Sequence, residues 1–167
     1  MANVASEDGG LGAGRSGPVR SLPGLSLALW LGAMMFFAFL VAPAAFRTLD
    51  REAAGRLVTA IFPRYYQVGV VLGLLALAGC AGRGPQRARD WLSLGLVALM
   101  LALTVYSWLV VLPAAHGARE ALRRGDAGAT SPEASRFARL HRLSSLLNGA
   151  VMLAGVAALV MEVTREP

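Results

Sequence analysis

The fold is decided by the stretch Phe137-Ala-Arg-Leu-His-Arg-Leu-Ser-Ser-Leu-Leu-Asn148, which leads into the apolar segment Gly149 to Met161. On a helix, four of its polar residues recur at i, i+3/i+4 and i+7 and share one face: His141, Ser144, Ser145 and Asn148. Polar side chains at membrane depth point at protein or water rather than at lipid, so this face is a candidate site. The same residues can serve only as hydrogen bonds between helices, worth about 0.6 kcal/mol each. Both interpretations stay open.

The composition indicates one small integral membrane domain. Of the 167 residues, 56% are hydrophobic, and the mean hydropathy of +0.56 is too high for a soluble domain. The net charge of +6 comes from sixteen Arg and no Lys. These Arg residues lie between apolar runs rather than on one polar surface, which is typical of membrane topology and not of nucleic-acid binding. The single cysteine, Cys80, excludes an internal disulfide and a multi-cysteine metal site.

Apolar runs separated by charged connections predict an all-α integral membrane bundle of four helices. We expect these helices at about 22–46, 65–80, 91–112 and 137–161. The first run is longer than the core of a signal peptide and is followed by further spans, so we interpret it as a helix rather than a leader. Residues 1–21 are predicted to be a disordered tail, 22–162 the transmembrane domain and 163–167 a short C-terminal tail.

Two connections next to the spans carry their own signals. After helix 1, an apolar stripe predicts an amphipathic connection that Pro63 is expected to end: Leu49, Ala53, Leu57 and Ile61. Before helix 4, Thr130-Ser131-Pro132-Glu133 combines a hydroxyl cap with an early proline and an early acid. A helix from Pro132 to Glu162 would be about 46 Å long, so we predict an extended fourth helix that projects beyond the bilayer.

Small residues and a short internal similarity predict how the helices pack. Gly69-x-x-x-Gly73 would let another helix approach closely. Val41-Ala-Pro43-Ala-Ala-Phe46 and Val111-Leu-Pro113-Ala-Ala-His116 end the first and third spans alike. These segments indicate either a parallel repeat of two hairpins or a chance match.

Topology gathers polar residues in one half of the bilayer. Spans one and three end on the side where spans two and four begin, so the polar residues near these ends lie at one membrane face. They are Tyr65, Tyr66, Gln67, Thr104, Ser107, His141, Ser144, Ser145 and Asn148. We therefore predict a one-sided polar network, and we expect the opposite half to be almost entirely apolar.

The residue types restrict the chemistry of this network. A haem held by two imidazoles would need His116 and His141. A copper site could use the same residues, or thioether groups from Met34, Met35, Met100, Met152 or Met161. Ion-coupled transport usually needs a carboxylate inside the membrane, but every Asp and Glu lies in a tail or loop except Glu162 at a helix end. No nucleophile elbow appears, and no acid lies beside His141. We predict no catalytic residues, no cofactor and no metal, with haem or copper at His116 and His141 as the alternative.

The distribution of Arg predicts an orientation. Loops one and three contain ten of the sixteen Arg residues, and the other side contains six. The positive-inside rule therefore favours cytoplasmic loops one and three, with both termini outside. We expect a multi-pass protein of a bacterial plasma membrane. Its expected partners are the lipid bilayer and either a second copy or another membrane protein, but no nucleic acid.

Five short motifs between Leu25 and Glu162 carry a resemblance to a known family. They are Trp30-x-Gly32, Phe46-Arg47-x-Leu49, Phe62-Pro63-Arg64-Tyr65-Tyr66, Trp108-x4-Pro113 and Phe137-x-Arg139-x-His141-x-x-Ser144-Ser145-x-x-Asn148. In these motifs the chain resembles the transmembrane protein 205-like family, catalogued as a domain of unknown function. The resemblance implies a small membrane protein, usually of four helices, with no established enzymatic activity. Its signature residues here are His141, Ser144, Asn148, Phe62, Pro63 and Tyr65.

The sequence thus predicts a non-enzymatic multi-pass membrane protein whose polar network serves packing or the binding of a small ligand or partner. The alternative is a transporter-like or metal- or haem-handling protein that uses His141 and its neighbours. The resembled fold is similar to that of copper-resistance D-type membrane domains, which keeps metal handling as a secondary hypothesis.

Overall fold

The computed structural model describes residues 16–124 and 131–165, which form four long helices and no strand. Helix α1 consists of Ser16–Phe36 and Ala42–Thr48, joined by a π-helical turn at Phe37–Val41. Helix α2 is Arg51–Gly82. Helix α3 consists of Ala88–Tyr106 and Leu112–Arg124, joined by a π-helical turn at Ser107–Val111, and α4 is Pro132–Val163. All four helices are long and apolar enough to cross a membrane, which confirms the predicted fold class.

The prediction that Pro63 ends the amphipathic connection is wrong, because Pro63 lies inside α2. Asp50 starts this helix twelve residues before the proline by accepting hydrogen bonds from the N–H groups of Glu52 and Ala53, at 2.9 and 2.8 Å. A proline already has a helical φ and removes a single backbone hydrogen bond, so a well-capped helix can continue through it. The amphipathic residues therefore form the first turns of α2 rather than a separate connection.

The other helices also begin or end beyond their predicted bounds. Helix α1 begins at Ser16, so residues 16–21 of the predicted tail are helical. Helix α3 runs twelve residues past its expected end. Helix α4 begins at Pro132, where the hydroxyl of Ser131 accepts a hydrogen bond from the N–H of Ala134 at 3.1 Å. Residues 1–15 of the predicted tail, and residues 125–130 and 166–167, lie outside the described residues.

The helices form a ring in which each one packs on its neighbours in sequence and α4 packs back on α1. Helices α2 and α4 therefore face each other across the bundle. Trp30 of α1, only 3% exposed, lies over Gly69 and Gly73 of α2. A Cβ atom on either glycine would be 2.9 Å from the indole, so the two glycines make room for this ring.

At the opposite end of the bundle, charged residues just beyond the predicted spans form buried and half-buried ion pairs. There the carboxylate of Glu162, with its side chain 4% exposed, accepts hydrogen bonds from Arg83 at 2.7 and 2.8 Å and from Ser93 at 3.0 Å. Arg165 pairs with Asp90 at 2.7 Å. These contacts tie together α2, α3 and α4. We call this region the ion-pair end, defined by Arg83, Asp90, Ser93, Glu162 and Arg165.

Candidate functional site

At the other end of the bundle the helices separate into two hairpins. The segment Ala42–Thr48 packs on α2, and the segment Leu112–Arg124 packs on α4, so each hairpin closes on itself. Between the hairpins lies a cavity of about 820 Å³ with contributions from all four helices. We call this region the cavity end.

Both π-helical turns adjoin this cavity, and each precedes a proline by two residues. Pro43 and Pro113 have no N–H group to donate to the carbonyl four residues earlier. The chain shifts its hydrogen bonding instead: the N–H of Ala42 donates to Phe37, and the N–H of Leu112 donates to Ser107. The turns give the first and second hairpins the same local distortion at the cavity wall, which supports the predicted hairpin repeat. Turns of this kind occur often at functional sites.

An aromatic cluster forms the wall on the α1 and α2 side. Phe37, Phe62, Tyr65 and Tyr66 contact one another with ring centroids 5.3–5.9 Å apart. Such pairs add about 0.5–1.5 kcal/mol each beyond the burial of their area. The cluster therefore holds the two tyrosines in place, with their hydroxyl groups directed toward α4.

Hydrogen bonds cross the cavity from α2 to α4. The Tyr65 hydroxyl donates to the Asn148 side-chain oxygen at 3.3 Å, and the hydroxyls of Tyr66 and Ser144 lie 3.5 Å apart. Both distances are long for an O–H···O bond, whose usual value is about 2.7–2.8 Å. The tyrosines and the polar stripe thus meet across the bundle without packing tightly against each other.

Basic side chains surround the outer part of the cavity. Arg119 of α3 donates from Nη1 to the Gly55 carbonyl at 2.6 Å and to the Thr59 hydroxyl at 2.8 Å, and so bridges α3 to α2. Arg51, His116 and His141 also line the cavity. Among the described lining residues there is no Asp or Glu. The formal charge of the described lining is therefore positive.

The structure brings most, but not all, of the predicted network residues together. The cavity is lined by Tyr65, Tyr66, His141, Ser144, Ser145 and Asn148. Thr104 and Ser107 are buried beside it, and their hydroxyls donate to the carbonyls of Met100 and Leu103 in their own helix.

Gln67 does not join the cavity, because its side chain is exposed on a different face of α2 from Tyr66. Gly32, which belongs to the Trp30-x-Gly32 motif of the resemblance, is also exposed, and a Cβ atom there would meet nothing within 4 Å. Of the predicted signature residues, Phe62 belongs to the aromatic cluster and Pro63 lies within α2.

Sequence reasoning missed the bridge between Arg119 and Gly55. A Cβ atom on Gly55 would collide with the Arg119 guanidinium, so a larger residue there would displace the guanidinium from its present position. The available signal was the pair of small residues Gly55 and Thr59 spaced one helical turn apart on α2. This spacing did not predict the contact, because Arg119 lies past the expected end of the third span.

The histidines and methionines give the site a limited capacity for metal. His116 and His141 line the same cavity, together with Met34 and Met152. The Nε2 atom of His116 is buried and has no hydrogen-bond partner in the described part of the chain. Residues 16–124 and 131–165 contain no group of three or more His, Cys, Asp or Glu that could hold a metal ion.

Comparison with known proteins places the chain among proteins without an assigned activity. Residues 25–124 match the family described as a domain of unknown function, DUF4149. An uncharacterized protein of Aquifex aeolicus (strain VF5) is 33% identical over 127 residues, covering 76% of this chain and 83% of that protein. No solved structure matches significantly. The family match ends before α4, so the polar stripe lies outside the matched region.

Proposed function

Since this chain belongs to the family described as a domain of unknown function, DUF4149, we propose its role from the site: a non-enzymatic membrane protein that binds a small ligand between its two hairpins. The observation that carries the proposal is the cavity of about 820 Å³. Ligand pockets usually measure about 300–1,000 Å³ and combine apolar walls with a few placed polar groups. This cavity has that size and that lining.

The geometry favours ligand binding over packing as the purpose of the polar network. The polar contacts that join the helices at the ion-pair end are 2.7–3.0 Å long. At the cavity end the bonds from Tyr65 and Tyr66 to α4 are 3.3 and 3.5 Å long, and His116 Nε2 has no partner among the described residues. Groups left in this way are available to a molecule in the cavity.

The same features favour a binding protein over an enzyme or an ion-coupled transporter. The buried carboxylate of Glu162 lies at the ion-pair end and is already bonded to Arg83 and Ser93. The described cavity lining offers hydroxyl, amide, imidazole and guanidinium groups, which suit recognition of a ligand.

We further propose that the protein is of the transmembrane protein 205-like type and lies in a bacterial plasma membrane with its cavity end in the cytoplasm. The type is supported by the order and spacing of the five motifs from Trp30 to Asn148. The orientation is supported by the excess of Arg in loops one and three.

Filling the cavity tests the proposed function. Gly149 lines the cavity, and a Cβ atom there would meet nothing within 4 Å, so Gly149→Phe is expected to occupy ligand space without a clash. Gly95→Phe is the matched control, because Gly95 is equally open but lies away from the cavity. Native mass spectrometry after mild-detergent purification should find a small molecule on the wild type and on Gly95→Phe, and at least about tenfold less on Gly149→Phe. Equal occupancy of all three proteins, or none in any, contradicts the proposal.

Binding of haem or copper is the second candidate, favoured by the joint placement of His116, His141, Met34 and Met152 around one cavity. Imidazole and thioether groups are ligands for copper(I), and two imidazoles can hold haem. A Soret band or stoichiometric copper in the purified protein, lost in His141→Ala, would favour this candidate over an organic ligand.

A further inference from the structure

We propose that the ligand of the cavity is a single-chain lipid with an anionic carboxylate or phosphate head, which enters sideways from the bilayer between α1 and α4. This inference rests on the proposed function and names the class of molecule that the cavity takes. It is carried by the charge of the outer cavity, by the change in polarity along the cavity, and by the opening between two helices.

The charge of the outer cavity matches an anion. Arg51 and Arg119 line it together with His116 and His141, and the described lining contains no carboxylate. The two acids that flank Arg51 are already engaged: Asp50 caps α2, and Glu52 pairs with Arg56 at 2.8 Å. Arg51 has no ion-pair partner in residues 16–124 and 131–165, so its guanidinium is available. Guanidinium groups bind carboxylate and phosphate through charge-assisted hydrogen bonds.

The polarity of the lining changes with depth. Along α4, His141 is followed by Ser144 and Asn148, and then by Gly149 and Met152. The distance from Phe137 to Met152 along this helix is about 22 Å. The cavity therefore runs from a basic outer part, past hydroxyl and amide groups, to an apolar inner part. A molecule with a charged head and a hydrocarbon tail has the same order of polarity.

The wall between α1 and α4 is open toward lipid. These helices approach closely near Leu31 and Gly155, where a Cβ atom on the glycine would be 2.7 Å from the leucine. Beyond Phe36, α1 packs on α2 rather than on α4. Phe39 and Phe46 line the cavity and are still 65% and 54% exposed. A tail can therefore pass between the helices while the head remains inside.

The head, rather than the tail, decides what binds. A lipid tail moving from the bilayer into an apolar groove gains little, because lipid chains are as apolar as the side chains that replace them. The volume also favours one chain, because about 820 Å³ falls within the range of small ligands. Discrimination must then come from the charge on the head.

The experiment compares oleate, oleate methyl ester and acetate as ligands of the purified protein at alkaline pH. The ester keeps the tail without the charge, and acetate keeps the charge without the tail. Native mass spectrometry should show oleate binding at least about tenfold tighter than the ester, since hydrogen bonds to charged groups are the stronger ones. Acetate should not bind at the same concentrations.

Substitutions test which residue binds the anionic head of oleate. Arg51→Gln is expected to weaken oleate about tenfold and to leave the ester unchanged, because it removes one charge and keeps a hydrogen-bond donor. Arg56→Gln is the control, since it removes an equal charge five residues along the same helix, from a side chain that does not line the cavity. Gly149→Phe should abolish binding of oleate.

Each outcome has a distinct meaning. If the ester binds as tightly as oleate, and both are lost in Gly149→Phe, the cavity binds ligands but does not recognise an anionic head. The lipid proposal is then wrong, and the proposed function stands. Binding of acetate alone identifies a site for small anions and overturns the lipid assignment. If nothing binds that is sensitive to Gly149→Phe, the proposed function fails as well.

Discussion

The two ends of this bundle use charged and polar residues in opposite ways. At the ion-pair end, Glu162 and Arg83 are largely buried and bonded to each other, with Ser93 completing the contact. At the cavity end, tyrosine, serine, asparagine and histidine side chains surround a space of about 820 Å³. The same four helices therefore enclose a bonded ion pair at one end and surround a cavity at the other.

The difference separates polar groups that hold helices together from those for which we propose a binding role. Polar groups that hold helices together satisfy one another, because an unpaired polar group in an apolar medium is costly. Arg89 follows this rule at the ion-pair end, where it donates to the Met161 carbonyl at 2.9 Å and also bonds Thr164 near the end of α4. The long bonds of the cavity end do not follow it, in keeping with our proposal that a ligand completes them.

The largest effect is expected from breaking the buried ion pair. Glu162→Gln removes the carboxylate to which Arg83 donates at 2.7 and 2.8 Å, and loss of one partner of a buried pair typically costs about 3–5 kcal/mol. Thermal unfolding in detergent should show a large drop in the melting temperature. Glu52→Gln is the matched control, because Glu52 and Arg56 are 60% and 59% exposed, and such pairs contribute about 0.5 kcal/mol or less. Equal losses in both variants would contradict the structural role of the ion-pair end.

Adding one methyl group is expected to change the free energy of unfolding by a smaller amount, and in opposite directions at Gly73 and Gly149. At Gly73 a Cβ atom would be 2.9 Å from the buried Trp30 ring, so Gly73→Ala should cost about 1–3 kcal/mol by overpacking. At Gly149 nothing lies within 4 Å, so Gly149→Ala should instead stabilise the helix by about 0.5–1 kcal/mol. The free energies of unfolding of the two variants test whether the cavity is a true space. A loss at Gly149 as large as that at Gly73 would show that the cavity is filled by protein.

The four spans could be predicted because each is a long apolar run, which needs no knowledge of tertiary contacts. The ion-pair end could not, since Arg83 and Glu162 are 79 residues apart and meet only after the bundle has formed. Pro63 was predicted to end a helical segment because proline usually breaks a helix. In the structure it lies inside α2, since a helix that is capped and packed on its neighbours tolerates a proline.

Topology alone predicted that polar residues of several spans would lie at one end, but not which of them would face the cavity. Gln67 follows Tyr66 by one residue and is therefore turned about 100° around the helix, outside the site. Thr104 and Ser107 bond to carbonyls of their own helix, a common use of hydroxyl residues in membrane helices. The cavity itself depends on the separation of the hairpins, which no local pattern encodes.

The smallest effect concerns the cap that starts α2 at the cavity end. The N–H of Ala53 donates to the Asp50 carboxylate and, with the N–H of Glu52 and the nearby charge of Arg56, holds the pKa of Asp50 below its ordinary value despite some desolvation. A lowered pKa in the folded state adds stability above the ordinary pKa of about 4, and this stability is lost as the pH falls through the folded value. Asp50→Asn keeps a capping oxygen at every pH. The melting temperature of the wild type should therefore fall relative to Asp50→Asn only in acid, and a difference that does not change with pH would contradict a cap that acts through its charge.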